Sequence, residues 1–284
     1  MKLGFLCKFT EENVKTAAEI GFDSLEVHAS SWPEDVLASA SKAKKAADEA
    51  QALLDKQGIC ISSITNYDTK LTPAKDKIKR FDNVIRFCNL MGVDVISGLA
   101  GGEAENSIED NIKLYKAVFG VVGPRAADAG VKIAFENWPA ASSAHPPMGS
   151  RNLAGTPVGW EAMFNAVDCQ ALGLEFDPSH LVRLCVDYIG ALKRFSNRIY
   201  HVHAKDTEIF DDKLAVNGFF SGGWWRYRIP GFGRVDWAEF ISTLRELGYD
   251  GGVAIEHEDP VFSGERFNMG LKLGYNTLAP LIQV

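Results

Sequence analysis

Five times along the chain a helical stretch runs into a glycine and an apolar segment follows within a few residues. The stretches are AAEIGFDSLEVH (Gly21), LDKQGICISSI (Gly58), CNLMGVDVISG (Gly92), AADAGVKIAFEN (Gly130) and LRELGYDGGVAIEH (Gly248). Glycine takes the left-handed position that closes a helix, where a Cβ is penalised. The first four glycines lie 37, 34 and 38 residues apart. One strand, one helix and their connections fill such an interval.

Continued over 284 residues, the period accommodates eight units, with strands predicted at 3–7, 24–28, 59–65, 94–98, 131–136, 173–177, 199–205 and 252–257. Helices fall between them. AKDKIKRFDNVIRFCNLMG puts Ile78, Phe81, Ile85 and Cys88 on one helical face. In VDWAEFISTLRELG, Asp236 is a predicted N-cap with Glu239 three residues on, and Phe240, Leu244 and Leu247 form the inner face. Strand and helix in alternation imply a parallel sheet with helices outside. Eight units close it into a (β/α)8 TIM barrel of the α/β class, a single domain over 1–284. An open doubly wound sheet is the alternative. No G-x-G-x-x-G follows the first strand, which sets aside its dinucleotide-binding form.

The net charge of 30 − 37 = −7 argues against a nucleic-acid partner. The five cysteines, Cys7, Cys60, Cys88, Cys169 and Cys185, form no C-x-x-C pair and read as reduced thiols of a cytoplasmic protein. The apolar run in MKLGFLCKFTEEN is too short for a signal peptide. No window reaches the ~18–20 apolar residues of a membrane span. A soluble protein with no membrane partner is expected.

In a TIM barrel the active site lies at the C-terminal ends of the strands. Four consecutive strands deliver a metal-ligand type of residue there. IAFENW ends at Glu136, LGLEFDPSH at Asp177 with His180 just after, HVHAKD at His203, and VAIEHED at Glu256. Three carboxylates and one imidazole make a mostly oxygen site, suited to Mn²⁺ first, then Mg²⁺, with Co²⁺ or Zn²⁺ as alternatives. In IYHVHAKD, alternate positions place His201, His203 and Lys205 on one face. His201 lies one step deeper than His203, at the depth of Glu175 on the adjacent strand, where the two pair in support of the ligands.

Two long loops border this rim. Residues 137–157 carry Trp138, a face on which a sugar stacks, and His145. Residues 207–230 carry Phe219, Phe220, Trp224, Trp225 and Tyr227 interleaved with Arg226 and Arg228. Glycines at 218, 222 and 223 let that loop bend. It reads either as a lid that excludes water or as an interface in a homo-oligomer.

GFDSLEVH, IAFEN, DPSHL, HVHAKD and IPGFGRVDWAEFISTLRELGYDGGVAIE together resemble the xylose isomerase-like TIM barrels of the sugar phosphate isomerase/epimerase group, over nearly the whole chain. The resemblance implies metal ligation by Glu136, Asp177, His203 and Glu256. It also implies substrate contacts from His180 and from an arginine before the last barrel helix, Arg228 or the nearby Arg226. Lys205 then becomes a substrate or charge-balancing group. Ketose 3-epimerases of this kind carry a further glutamate six residues after the first ligand, where this chain has Ser142. They also lack a close counterpart of 207–230.

The chemistry expected of such a site is removal of a proton from carbon next to a carbonyl. Glu136 and Glu256 act both as ligands and as acid/base groups, and His180 polarises the carbonyl. A divalent-metal-dependent sugar isomerase or epimerase, acting on a keto-sugar or sugar derivative, is the first reading. A lyase or dehydratase acting on a keto-inositol or 3-keto-glycoside is the second, since the same apparatus expels a leaving group. An abasic-site endonuclease is the remote third. It needs extra histidines from early strands, and strands three and four end SSITNY and SGLAGG. A non-catalytic sugar-binding barrel should lack one of the two acid/base carboxylates.

Overall fold

The structure is a computed structural model describing residues 1–140, 151–219 and 221–283. Its strands are β1 (Lys2–Cys7), β2 (Ser24–His28), β3 (Cys60–Asn66), β4 (Val95–Gly98), β5 (Lys132–Glu136), β6 (Leu172–Phe176), β7 (Ile199–Ala204), β8 (Asp206–Ile209), β9 (Trp225–Arg228) and β10 (Gly252–Ile255). Eight of them close into a barrel in the order β1-β10-β7-β6-β5-β4-β3-β2, all neighbours parallel. The outer layer includes α1 (Glu11–Ile20), α2 (Glu34–Ala38), α3 (Ala40–Gln57), α4 (Ala74–Met91), α5 (Ile108–Asp128), α6 (Pro157–Ala166), α7 (Pro178–Arg183) and α8 (Tyr188–Arg194). Then follow α9 (Asp211–Asn217), α10 (Trp237–Glu246) and α11 (Phe267–Ile282). No described helix is long and apolar enough to cross a membrane.

The five glycines of the repeat have φ of 107°, 68°, 64°, 70° and 77°. At the first of them, the N–H groups of Gly21 and Phe22 both donate to the Ala17 carbonyl and close α1. Asp236 caps α10 by accepting from the Glu239 N–H at 2.9 Å. Leu247 departs from the expected inner face. It stands just past the end of α10 and is 38% exposed, because the chain turns at Gly248 before Leu247 can reach the core.

Strand and helix layers meet over large apolar side chains. Phe119 on α5 packs against Phe81 on α4 and Phe135 on β5, and Trp160 on α6 against Phe176 on β6. Each such buried side chain contributes on the order of 1.5–3 kcal/mol.

Residues 207–230 are not a simple loop. β8 and β9 form a two-stranded antiparallel arm with α9 between them. The register pairs Glu208 with Arg226 and Thr207 with Tyr227. Trp225 and Tyr227 therefore point one way, and Arg226 and Arg228 the other. Asp206 anchors the arm, accepting from the N–H groups of Gly231 (3.0 Å) and Val235 (3.0 Å) and from the Trp237 indole (3.1 Å).

β6 approaches β7 closely at Gly173. A Cβ there would lie 2.3 Å from the Arg198 carbonyl oxygen and 2.3 Å from the Tyr200 ring. At Gly130, by contrast, a Cβ meets nothing within 4 Å, and only the left-handed backbone resists it. Gly173→Ala is expected to destabilise the fold by about 2–3 kcal/mol through overpacking. Gly130→Ala should cost about 1 kcal/mol. Urea unfolding of the two variants measures the difference, and equal midpoints would show that the strands spread freely at Gly173.

Candidate active site

β5, β6, β7 and β10 are neighbours in the barrel, so their C-terminal ends share one arc of its rim. Glu136 is the last residue of β5, Asp177 follows β6, His203 is the penultimate residue of β7, and Glu256 follows β10. One donor atom from each lies within 4.8 Å of the others. Asp177 and His203 are fully buried, Glu136 is 5% exposed, and Glu256 is partly open. Asn137 ties β5 to β6 by donating to the Asp177 carbonyl (2.8 Å) and accepting from its N–H (2.6 Å).

Asp177 divides its carboxylate. Oδ1 accepts from the Ser179 N–H at 2.8 Å and caps α7, while the buried Oδ2 accepts no hydrogen bond. His203 is divided likewise. Nε2 faces Glu26 Oε2 at 3.0 Å. A carboxylate only accepts, so Nε2 carries a proton and Nδ1 is the nitrogen left to face the rim. Nδ1 lies 3.1 Å from Glu256 Oε2 and 3.5 Å from Glu136 Oε1, and it too makes no hydrogen bond. Buried polar atoms are normally partnered. Two buried donor atoms without a hydrogen bond, facing a carboxylate pair, fit a divalent cation, and the donor set is mostly oxygen.

Lys205 is buried beside this group. Its ammonium is 2.5 Å from Glu256 Oε2, 3.1 Å from Glu258 Oε2 and 3.3 Å from Asp177 Oδ2. Burial alone lowers a lysine pKa, but Glu256, Asp177 and Glu258 outweigh it, and the group stays charged. Burial also raises the Glu256 carboxyl, yet Lys205 brings it down to about 2. Glu136 is likewise raised by burial and more strongly lowered by its hydrogen bond with His180 and by the nearby His203 and Lys205. Both glutamates are therefore ionised at neutral pH.

His180, on α7, is fully buried and joins this layer. Its Nε2 is 3.1 Å from Glu136 Oε1 and 3.3 Å from Asp177 Oδ2, and its Nδ1 is 2.7 Å from the Tyr227 hydroxyl.

A second polar layer lies deeper. His201 Nδ1 is 2.9 Å from Glu175 Oε1, and His201 Nε2 is 3.1 Å from the Ser62 hydroxyl. The Tyr67 hydroxyl donates to Glu175 Oε2 at 3.0 Å. Burial, then the charge of Glu26, holds Glu175 well above the usual carboxyl range, which keeps it protonated. Burial pushes His201 down to about 4, so it is neutral.

The remaining residues singled out in the sequence lie further out. Trp138 is half-buried, with the Arg151 guanidinium over its ring at 5.8 Å. The structure sets Arg226 and Arg228 against acids of the arm and its support. Glu208 Oε2 accepts from both at 2.6 Å, and Asp259 Oδ2 accepts from Arg228 Nε at 2.8 Å. Ser142, His145 and Phe220 lie outside the described residues.

Glu26, Tyr67, Tyr227 and Glu258 were not singled out. Glu26 had a signal, being the lone charge inside the apolar strand SLEVH. Tyr227 was named only as part of an aromatic loop. The strand alternation of WRYR marks it as facing opposite to its arginine neighbours.

The Bacillus subtilis protein YfiH is 28% identical over 90% of each chain. An inosose dehydratase from Clostridium beijerinckii is 26% identical over 92% of this chain and 86% of its own. A crystal structure of the IolI protein with a bound zinc atom superposes with a TM-score of 0.73, at 20% identity, over 100% of this chain and 98% of that one. A family model described as xylose isomerase-like TIM barrel matches residues 14–273. With the barrel and its rim already in view, this match shows that the chain belongs to the xylose isomerase-like TIM barrel family.

Proposed function

We propose that this chain is a divalent-metal-dependent sugar-modifying enzyme that isomerises or epimerises a keto-sugar or sugar derivative. The observation that carries the reading is the convergence of Glu136, Asp177, His203 and Glu256 from four adjacent strands, with two buried donor atoms left without a hydrogen bond. These four residues would hold the cation, Mn²⁺ first given the mostly oxygen donors. When bound, it would supply Lewis acidity to the substrate carbonyl.

The protein's own groups move the proton. Glu136 and Glu256 are ionised, come from strands three positions apart around the barrel, and approach a substrate between them from different sides. One removes the proton from carbon next to the carbonyl, and the other returns it at the neighbouring carbon or on the opposite face. His180 Nε2 lies 3.1 Å from Glu136 Oε1, and an N–H at that nitrogen would polarise a substrate oxygen. Lys205 balances the carboxylate charge and offers a second donor. Trp138 offers an aromatic face at the rim. His201 and Glu175 support His203 from below.

The similarity to an inosose dehydratase over most of the chain favours a second reading. The same carboxylates would remove the proton, and a hydroxyl two carbons from the carbonyl oxygen's carbon would leave as water. In that reading the substrate is a keto-inositol or 3-keto-glycoside.

Two outcomes are expected. Purified protein should hold about one divalent ion per chain by elemental analysis, and His203→Ala should lose most of it. Arg228→Ala should retain it, because Arg228 contacts Glu208 and Asp259 instead. Retention of metal by His203→Ala would remove the histidine from the ligand set. The second outcome concerns the reaction. Incubation with keto-sugars, keto-inositols and Mn²⁺ in D₂O, followed by NMR, should show solvent deuterium entering at carbon next to the carbonyl. Glu136→Gln and Glu256→Gln should each slow turnover by ~10²–10⁴-fold. An unsaturated product assigns the lyase reading. Turnover without deuterium incorporation and without loss in either variant would exclude proton transfer by these residues.

A further inference from the structure

The arm formed by β8 and β9 brings one group to the rim that no reading of the active site has used. Tyr227 points inward from β9, and its hydroxyl lies 2.7 Å from His180 Nδ1. The two rings meet edge to face, with centroids 5.2 Å apart. On the other side of the phenol, Arg183 Nη1 donates to the same hydroxyl at 3.3 Å, and its guanidinium stacks on Trp225 at 4.0 Å.

We propose that Tyr227, oriented by Arg183, is a positioning residue that fixes His180 in the tautomer with its proton on Nε2. The argument is one of direction. A guanidinium only donates, so the Tyr227 oxygen accepts from Arg183. The single phenolic proton then goes to His180 Nδ1. An imidazole that accepts at Nδ1 carries its proton at Nε2, the nitrogen 3.1 Å from Glu136. Arg183, Tyr227 and His180 thus form a chain of donors aimed at the carboxylate layer. Burial pushes the Tyr227 pKa up to about 12, against Lys205 and Arg183, so the phenol remains a donor at neutral pH.

Glu136 and Asp177 also draw the proton to Nε2. Both are in the proposed ligand set, and a bound cation weakens their pull on that proton. The Lys205 ammonium, 3.4 Å from Nε2, acts the other way, so with the cation bound the phenol is what holds the proton on Nε2. The same selection keeps an N–H directed at a substrate oxygen.

This inference rests on the reading of His180 as the group that meets substrate oxygen, but its test needs no substrate. Protein labelled with ¹⁵N-histidine is studied by NMR, metal-free and loaded with Mg²⁺ alone, with His180 assigned by its absence in His180→Gln. In the wild type, His180 should show a protonated Nε2 and an unprotonated, hydrogen-bonded Nδ1 in both states. Tyr227→Phe keeps the ring contact and removes the donor. The ratio of Nδ1–H to Nε2–H tautomers should then rise roughly five-fold, the effect of one ordinary hydrogen bond, most clearly with Mg²⁺. Arg183→Gln, which leaves the phenol in place, should move His180 in the same direction by less. The resonances of His28, His201 and His257 should stay fixed, which a general loosening of the barrel would not allow. An unchanged His180 pattern in Tyr227→Phe in the Mg²⁺-loaded protein overturns the proposal, as does a shift shared by all of these histidines. Either result leaves the D₂O experiment and the metal count unaffected, so failure here is separate from failure of the reaction assigned above.

Discussion

His203 is the hinge between two buried layers of charge. Its Nε2 is held by Glu26 and its Nδ1 faces Glu136 and Glu256. A bare imidazole in a barrel core would be pushed toward neutrality by burial. Here the surrounding carboxylates, Glu26 and Glu256 among them, outweigh burial and raise its pKa well above the usual value, so a cation at Nδ1 would take the place of a proton. The ring is therefore fixed at both ends, and the rim carboxylates are arranged around a group that cannot rotate away. Nothing comparable would hold a histidine at a loop tip, which is why the site stands on strand ends.

The deeper layer explains how so many acids tolerate burial together. Glu26 and Glu175 sit side by side, and two adjacent carboxylates do not both ionise readily. Glu175 keeps its proton, Tyr67 and His201 occupy its oxygens, and Ser62 occupies the far nitrogen of His201. In the deeper layer Glu26 Oε1 is left without a hydrogen bond, and in the upper layer Asp177 Oδ2 and His203 Nδ1 are. The difference lies in access, since the deeper acids are fully buried while Glu256 is partly open at the rim.

Much of this was legible in the residues. Glycine caps are local events, so Gly21, Gly58, Gly92 and Gly130 mark unit boundaries without knowledge of the fold, and the strands fall within two residues of their expected positions. The rim residues were legible because acids at the ends of apolar strands are conspicuous. Glu26 was harder, because its partner His203 is 177 residues away and only barrel closure brings them together. Tyr67 arrives from β3 across the barrel for the same reason. The arm was hidden by scale. Each of its strands has four residues, too few for periodicity to stand out from an aromatic loop.

The two ends of the arm are pinned separately. Asp206 is bonded to the backbone of Gly231 and Val235 and to Trp237, and Arg228 is bonded to Asp259. Displacement of the tip at α9 is therefore resisted by the barrel wall at two points, while Tyr227 between them links the arm to His180. No residue of α9 is buried, so the tip can change length and composition like the exchangeable bit of a tool held in a chuck. A fitting of this kind lets changes at the tip accumulate without re-machining the barrel that carries it.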